Sequence, residues 1–162
     1  MTDALQAILD RQAIVDLIYR YCRAVDRIDA ELGYSIYHDE AVVDYSVYKG
    51  AARGSIDFIC ERHSTFQATS HQVTNIILEL DGDRASSEAY VTASLRMHVS
   101  GEIRQATIWA RYLDRWSRRA GRWGIDRRQT VIDFNEVREV VPMSHEATGR
   151  NDRTDPSYAQ LG

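Results

Sequence analysis

The second half of the chain is written almost entirely in alternation. His71 to Leu80 (HQVTNIILEL), Ala85 to Val99, Ile103 to Trp116 and Trp123 to Phe134 are separated only by Asp81-Gly82-Asp83, Ser100-Gly101-Glu102 and Ala120-Gly121-Arg122. Connections this short join antiparallel neighbours, so the spacing predicts one continuous meander. Within Ala85–Val99 the split is clean. Ala89, Val91, Ala93, Leu95 and Met97 share one parity, and Glu88, Tyr90, Thr92, Ser94 and Arg96 take the other. A sheet with one apolar face needs a cover.

The first half supplies it. Asp10 to Asp29 (DRQAIVDLIYRYCRAVDRID) places Ile14, Leu17, Ile18, Tyr21, Cys22, Val25 and Ile28 at helical spacing, with Arg20, Arg23 and Arg27 on the other side. Ala30 to Tyr37 reads as a short helix, His38-Asp39-Glu40 as a polar turn, and Ala41 to Tyr48 as a strand. After a turn at Lys49-Gly50, Ser55 caps a third helix, Ile56 to His63, which shows Ile56, Ile59 and Cys60 on one side. Helices segregated from strands mean α+β. The expected architecture is a curved antiparallel or mixed sheet packed on N-terminal helices. A cone-shaped cavity between the layers would suit a small molecule. Residues 1–135 make this domain. Residues 136–162 form a polar tail in which Val137, Val140, Val141, Met143 and Tyr158 offer some grip. Two readings of the tail stand side by side: disorder, or packing on a neighbouring subunit. Ile76, Leu78 and Val91 are read as an open apolar sheet face that self-association would bury.

Much chemistry is excluded. The net charge of −4 is mild and its signs are interspersed, which argues against nucleic-acid and membrane-surface partners. No apolar run reaches bilayer length and no basic, apolar leader opens the chain, so a cytoplasmic location is expected. Cys22 and Cys60 fall within helices and read as buried free thiols. There is no GxSxG, glycine-rich phosphate loop or CxxC. His63, His71, His98 and His145 lack ligand spacing, and adjacent His38-Asp39-Glu40 cannot converge on one ion, so no metal is expected.

What remains is His71, at the start of a strand, and the carboxylates at the end of the first helix. A carboxylate on one imidazole nitrogen fixes the tautomer and raises the basicity of the other. Asp26 lies on the flank of the apolar stripe and Asp29 nearer its centre, and helical geometry does not choose between them. Tyr21 can donate a hydroxyl to a substrate oxygen. Asn75 shares the parity of His71. Of Arg127 and Arg128, neighbours on opposite parities, one must turn inward as a cation for an oxyanion or a leaving group.

The order of these features resembles SnoaL-like domains of the nuclear-transport-factor-2-like superfamily. Tyr21-Cys-Arg-Ala-Val-Asp26-Arg carries the likeness, followed by Tyr37-His-Asp-Glu-Ala-Val-Val-Asp44-Tyr45 and His71-Gln-Val-Thr-Asn75-Ile. Arg111-Tyr-Leu-Asp114-Arg-Trp and Gly121-Arg-Trp123-Gly-Ile125 with Arg128 continue it. The likeness covers roughly residues 5 to 135 and is nearest to the scytalone dehydratase and hexachlorocyclohexane dehydrochlorinase branch. It implies a cystatin-like α+β barrel, a cofactor-independent His71–Asp26 dyad, and a homo-oligomer, with a trimer favoured over a dimer. By the same resemblance Arg128 and Tyr21 match substrate-binding positions, and Tyr45 or Tyr48 stands in for the dehydratase tyrosines. The dehydrochlorinase lysine of the first helix has no equivalent. The implied activity is a lyase of the aromatic-catabolism type. It would eliminate water, or lose a related small group such as formaldehyde, from a hydrophobic cyclic or aromatic molecule. An isomerase, or a non-catalytic ligand-binding or oligomer-forming subunit, is the alternative.

Overall fold

The structure, a computed structural model, describes residues 3–141 and 143–161; the chain ends and residue 142, counted above in the domain and the tail, lie outside the described residues. Helix α1 (Asp3–Asp26) buries Asp10, Ile14, Ile18, Tyr21, Cys22 and Val25, a stripe at three- and four-residue steps. It ends at Asp26, short of the expected Asp29, because Ile28 takes a positive φ of 52°. The Asp29 carboxylate then accepts from the Leu32 N–H as N-cap of α2 (Ala30–Ser35). Cys22 and Cys60 are buried and free, as expected.

Tyr37 and the polar triplet after it lie in strand β1 (Tyr37–Tyr45), not in a helix and a turn. Pairing with the last strand at Tyr37 and again from Val42 carries the triplet between them into the strand, as an irregular stretch of the ladder. β1 runs parallel to the last strand, and the buried His38 ring is matched by Ser117 and Arg122, its Nε2 lying 3.0 Å from the Ser117 carbonyl. β2 (Tyr48–Ala51) folds back on β1 and leads directly into α3 (Ala52–Ser64). Ser55 is therefore inside α3 rather than at its cap, and its hydroxyl donates to the Ala52 carbonyl at 2.7 Å.

The meander forms as expected: β3 (Ala68–Asp81), β4 (Arg84–Val99), β5 (Glu102–Arg119) and β6 (Arg122–Glu139). The six-stranded order is β2-β1-β6-β5-β4-β3, mixed because β1 is parallel to β6. The sheet has two edges and is not closed, so the expected barrel is an open one. Leu78 and Val91 are buried in the core, with Ile76 packed against them. They lie on the face under the helices and not on the open one expected.

Bulges set which side chains face the helices, and two of them bear on the site. In β3, Thr74 pairs with Tyr90 and Ile76 with Ala89, leaving Asn75 as an extra residue with φ 39°. His71 and Val73 point inward before it, and Ile76 and Leu78 after it. In β6, Trp116 pairs with Ile125 and Arg115 with Arg127, so Asp126 is the extra residue and Ile125 and Arg128 are both buried. Beyond residue 135 the chain continues in β6 to Glu139. Residues 150–158 then return to the end of α1: Arg153 and the Tyr158 hydroxyl donate to Asp29, at 3.1 and 2.8 Å, and Arg23 donates to Ser157 at 2.9 Å. A final turn of helix, α4 (Ser157–Leu161), closes the described chain. No described helix is long and apolar enough to cross a membrane.

Candidate active site

The last residue of α1 and the fourth residue of β3 meet at one pair. Asp26 Oδ1 lies 2.7 Å from His71 Nδ1, and Asp26 Oδ2 accepts the backbone N–H of His71 at 2.8 Å. Both carboxylate oxygens are thus spent on one residue, which fixes the imidazole in position and orientation. With Nδ1 facing a carboxylate, the network assigns the proton to Nδ1 and leaves Nε2 as the bare nitrogen. Burial works against the Asp26 charge, but the side-chain and backbone hydrogen bonds that His71 donates help outweigh it and hold the carboxyl below its ordinary range. Asp29, the alternative, is committed to capping α2 and to the tail.

A second imidazole lies against the first. His63, in the last turn of α3, has Nδ1 2.8 Å from the Val25 carbonyl and stacks on His71 with centroids 5.6 Å apart and planes at 27°. Burial pushes His63 down from the ordinary histidine value, more than the Val25 carbonyl raises it. Spacing rules for metals gave it no role. Its inward position was nonetheless written in α3, because Ile56, Ile59, Cys60 and His63 follow one helical stripe.

Both rings line a cavity of about 220 Å³ with Tyr21, Tyr45, Phe58, Ala93, Ile108 and Tyr112 among its walls. A larger hollow of about 580 Å³ on the other side of the sheet is bordered by Glu79, Glu88, Arg115 and Arg127. It contains no imidazole and its wall is charged, so the smaller, apolar cavity is the candidate site. Among the cavity residues, the Tyr45 hydroxyl lies 3.2 Å from that of Tyr21, and it also lies 3.1 Å from that of Tyr37. Three phenols hold three protons and two bonds consume two. One O–H is therefore left to donate elsewhere. Burial raises Tyr21, Tyr37 and Tyr112 well above the ordinary phenol range, so all three are neutral donors.

Three expected site residues lie elsewhere. Asn75 is exposed, because the bulge it forms removes it from the face of His71. Tyr48 packs against Phe58 with ring centroids 5.7 Å apart and donates its hydroxyl to the Ala51 carbonyl, and it is not part of the cavity wall. Arg128 is the arginine that turns inward, with Arg127 exposed, but it sits behind the wall. Its Nε and Nη2 bind Asp114 at 2.7 Å each, and its guanidinium lies 4.2 Å from the ring centroids of both Tyr21 and Tyr112. Those rings separate it from the cavity. Nη1 is left buried without a partner among the described residues.

The model of the SnoaL-like domain family matches residues 6–129. Among curated proteins no sequence matches. Solved structures share the fold. The hexachlorocyclohexane dehydrochlorinase LinA-type3 from Novosphingobium barchaimii is 19% identical with a TM-score of 0.74, over 87% of this chain and 100% of that one. A scytalone dehydratase-like protein from Novosphingobium aromaticivorans is 18% identical with a TM-score of 0.71, over 87% and 97%. An NTF2-like protein with a cystatin-like fold from the same species is 20% identical with a TM-score of 0.64, over 80% and 86%. At these identities the likeness is one of fold.

Proposed function

Because the chain belongs to the SnoaL-like domain family, we propose that its cavity is the active site of a lyase acting on a hydrophobic cyclic or aromatic small molecule. The observation that carries this reading is the 2.7 Å Asp26–His71 contact at the wall of an apolar cavity. His71 Nε2 takes a proton from a substrate carbon, and the C–H electrons form a double bond as the group on the neighbouring carbon leaves. When that group is hydroxyl, the imidazolium returns the proton to it and water departs, so the histidine ends as it began. Asp26 stabilises the imidazolium in between. The spare phenolic proton of the Tyr21–Tyr45–Tyr37 group supports the departing or enolising oxygen. Loss of formaldehyde from an aryl diol uses the same base on a hydroxyl proton. None of these steps calls on a cofactor.

Fold relatives named as a dehydrochlorinase and as scytalone dehydratase-like support elimination as the reaction class. The test is a screen of hydroxylated ring compounds for gain of conjugated absorbance, repeated with His71→Ala and Asp26→Asn. Removing a positioned general base costs about 10²- to 10⁴-fold in turnover. Unchanged turnover in both variants sinks the mechanism.

A further inference from the structure

The two stacked imidazoles are held in the same way by consecutive residues. His71 Nδ1 faces the Asp26 carboxylate at 2.7 Å, and His63 Nδ1 faces the Val25 carbonyl at 2.8 Å. A carbonyl only accepts, so His63 carries its proton on Nδ1 and its Nε2 is a bare lone pair. That Nε2 has no partner among the described residues, yet it is absent from the buried unpaired atoms and so keeps open surface. His63 itself is 6% exposed, and the cavity is the open space it borders.

The partners differ in charge, which divides the labour. His71 has a carboxylate to stabilise its protonated form. His63 has a neutral carbonyl, is buried, and lies against a ring that becomes cationic in the proposed reaction, so it stays neutral throughout. A neutral, unpaired nitrogen in a largely apolar wall can do one thing for a ligand: accept a hydrogen bond. Other polar atoms on this wall do not duplicate it: Thr130 Oγ1 and the phenols both donate and accept, and His71 Nε2, the second bare nitrogen, is the base of the proposed reaction.

We propose that His63 is a substrate-binding residue whose Nε2 accepts a hydrogen bond from a substrate hydroxyl, so that the cavity selects phenols and cyclic alcohols over their ethers and hydrocarbons. An apolar ligand or a methyl ether leaves the nitrogen desolvated and unmatched, and sites built around a hydroxyl reject analogues without one for that reason. The proposal rests on the reading of this cavity as the substrate site and specifies what enters it.

The probes are phenol and anisole, which differ in one hydroxyl proton, with binding followed by calorimetry on the full chain. Wild type is expected to favour phenol by about five- to tenfold, the worth of one hydrogen bond. His63→Phe keeps the ring and its stacking, and should erase the preference. His71→Ala should keep it while abolishing lyase turnover. A second measurement needs no variant: with ¹⁵N-labelled histidine, phenol should shift the Nε2 resonance of His63 and anisole should not. Equal affinities in wild type, a preference that survives His63→Phe, or a His63 resonance indifferent to phenol each overturns the proposal. A His63-dependent preference without lyase turnover upholds it and removes the lyase reading alone.

Discussion

A guanidinium with no solvent contact is expensive to bury, and Arg128 is fully buried. Burial opposes its charge, but Asp114 overcompensates and keeps it cationic. Removing one member strands the other, which costs about 3–5 kcal/mol. Asp114→Asn and Arg128→Met should each lower the melting temperature by roughly 6–20 °C at about 2–4 °C per kcal/mol, while Asp114→Leu with Arg128→Met should recover most of it. Thermal melts of the three variants check this, and a harmless single substitution would contradict it. His63 gives a second prediction. Burial lowers its pKa from 6.5, so between the folded value and 6.5 the unfolded chain binds more protons than the folded one. Its contribution to stability is thus full above pH 6.5 and is lost as pH falls through the folded value. The lowered pKa of Asp26 adds a second loss at lower pH, below 3.8. Melts against pH should show both stages in wild type and only the acid one in His63→Phe. At this scale the sequence was half legible. Periodicity brought Asp26 and Asp29 to the same place and could not separate them. A cap and a tail, both tertiary, decided where Asp29 went.

Elements were legible wherever local pattern and tertiary pairing agreed. The four long strands and three turns of the meander stand where alternation put them, because one face of each is covered. Agreement failed at His38-Asp39-Glu40, where polarity spoke for a turn, but parallel pairing with β6 at Tyr37 and again from Val42 carries the triplet through β1 as an irregular stretch of the ladder. It failed again at Asn75, since a bulge adds a residue without disturbing the local composition and every parity argument across it reverses. The bulge depends on a residue that tolerates positive φ, which asparagine does better than most. Asn75→Gly should change stability by less than about 1 kcal/mol. Asn75→Val puts a β-branched residue at φ 39° and should cost about 1–3 kcal/mol. Urea titration separates the two, and equal midpoints would mean that the bulge is not held by backbone preference.

Over the whole molecule the least legible part was the tail, whose polar, aperiodic residues were compatible with disorder or with a neighbouring subunit. Its grip lies not in the valines but in hydrogen bonds that Arg153 and Tyr158 donate to Asp29 and that Ser157 accepts from Arg23 of α1, and Arg23 also lies over the Tyr158 ring at 4.5 Å. These contacts fall on the last turn of α1 and on the cap that follows it, the same turn that presents Asp26 to His71 and Val25 to His63. Exposed polar contacts are individually weak, so the tail should matter less to global stability than to the local order of that turn. Ending the chain after Glu139 is therefore expected to lower the melting temperature by only a few degrees. It should speed amide exchange at residues 23–29 more than elsewhere in α1 and reduce turnover while leaving the β-meander protected. Asp29→Ala in the intact chain should reproduce the local exchange effect, since it removes the acceptor shared by Arg153, Tyr158 and Leu32. Hydrogen exchange read by mass spectrometry tests both, and uniform loosening along α1 would mean that the tail acts on the fold as a whole rather than on the dyad's footing.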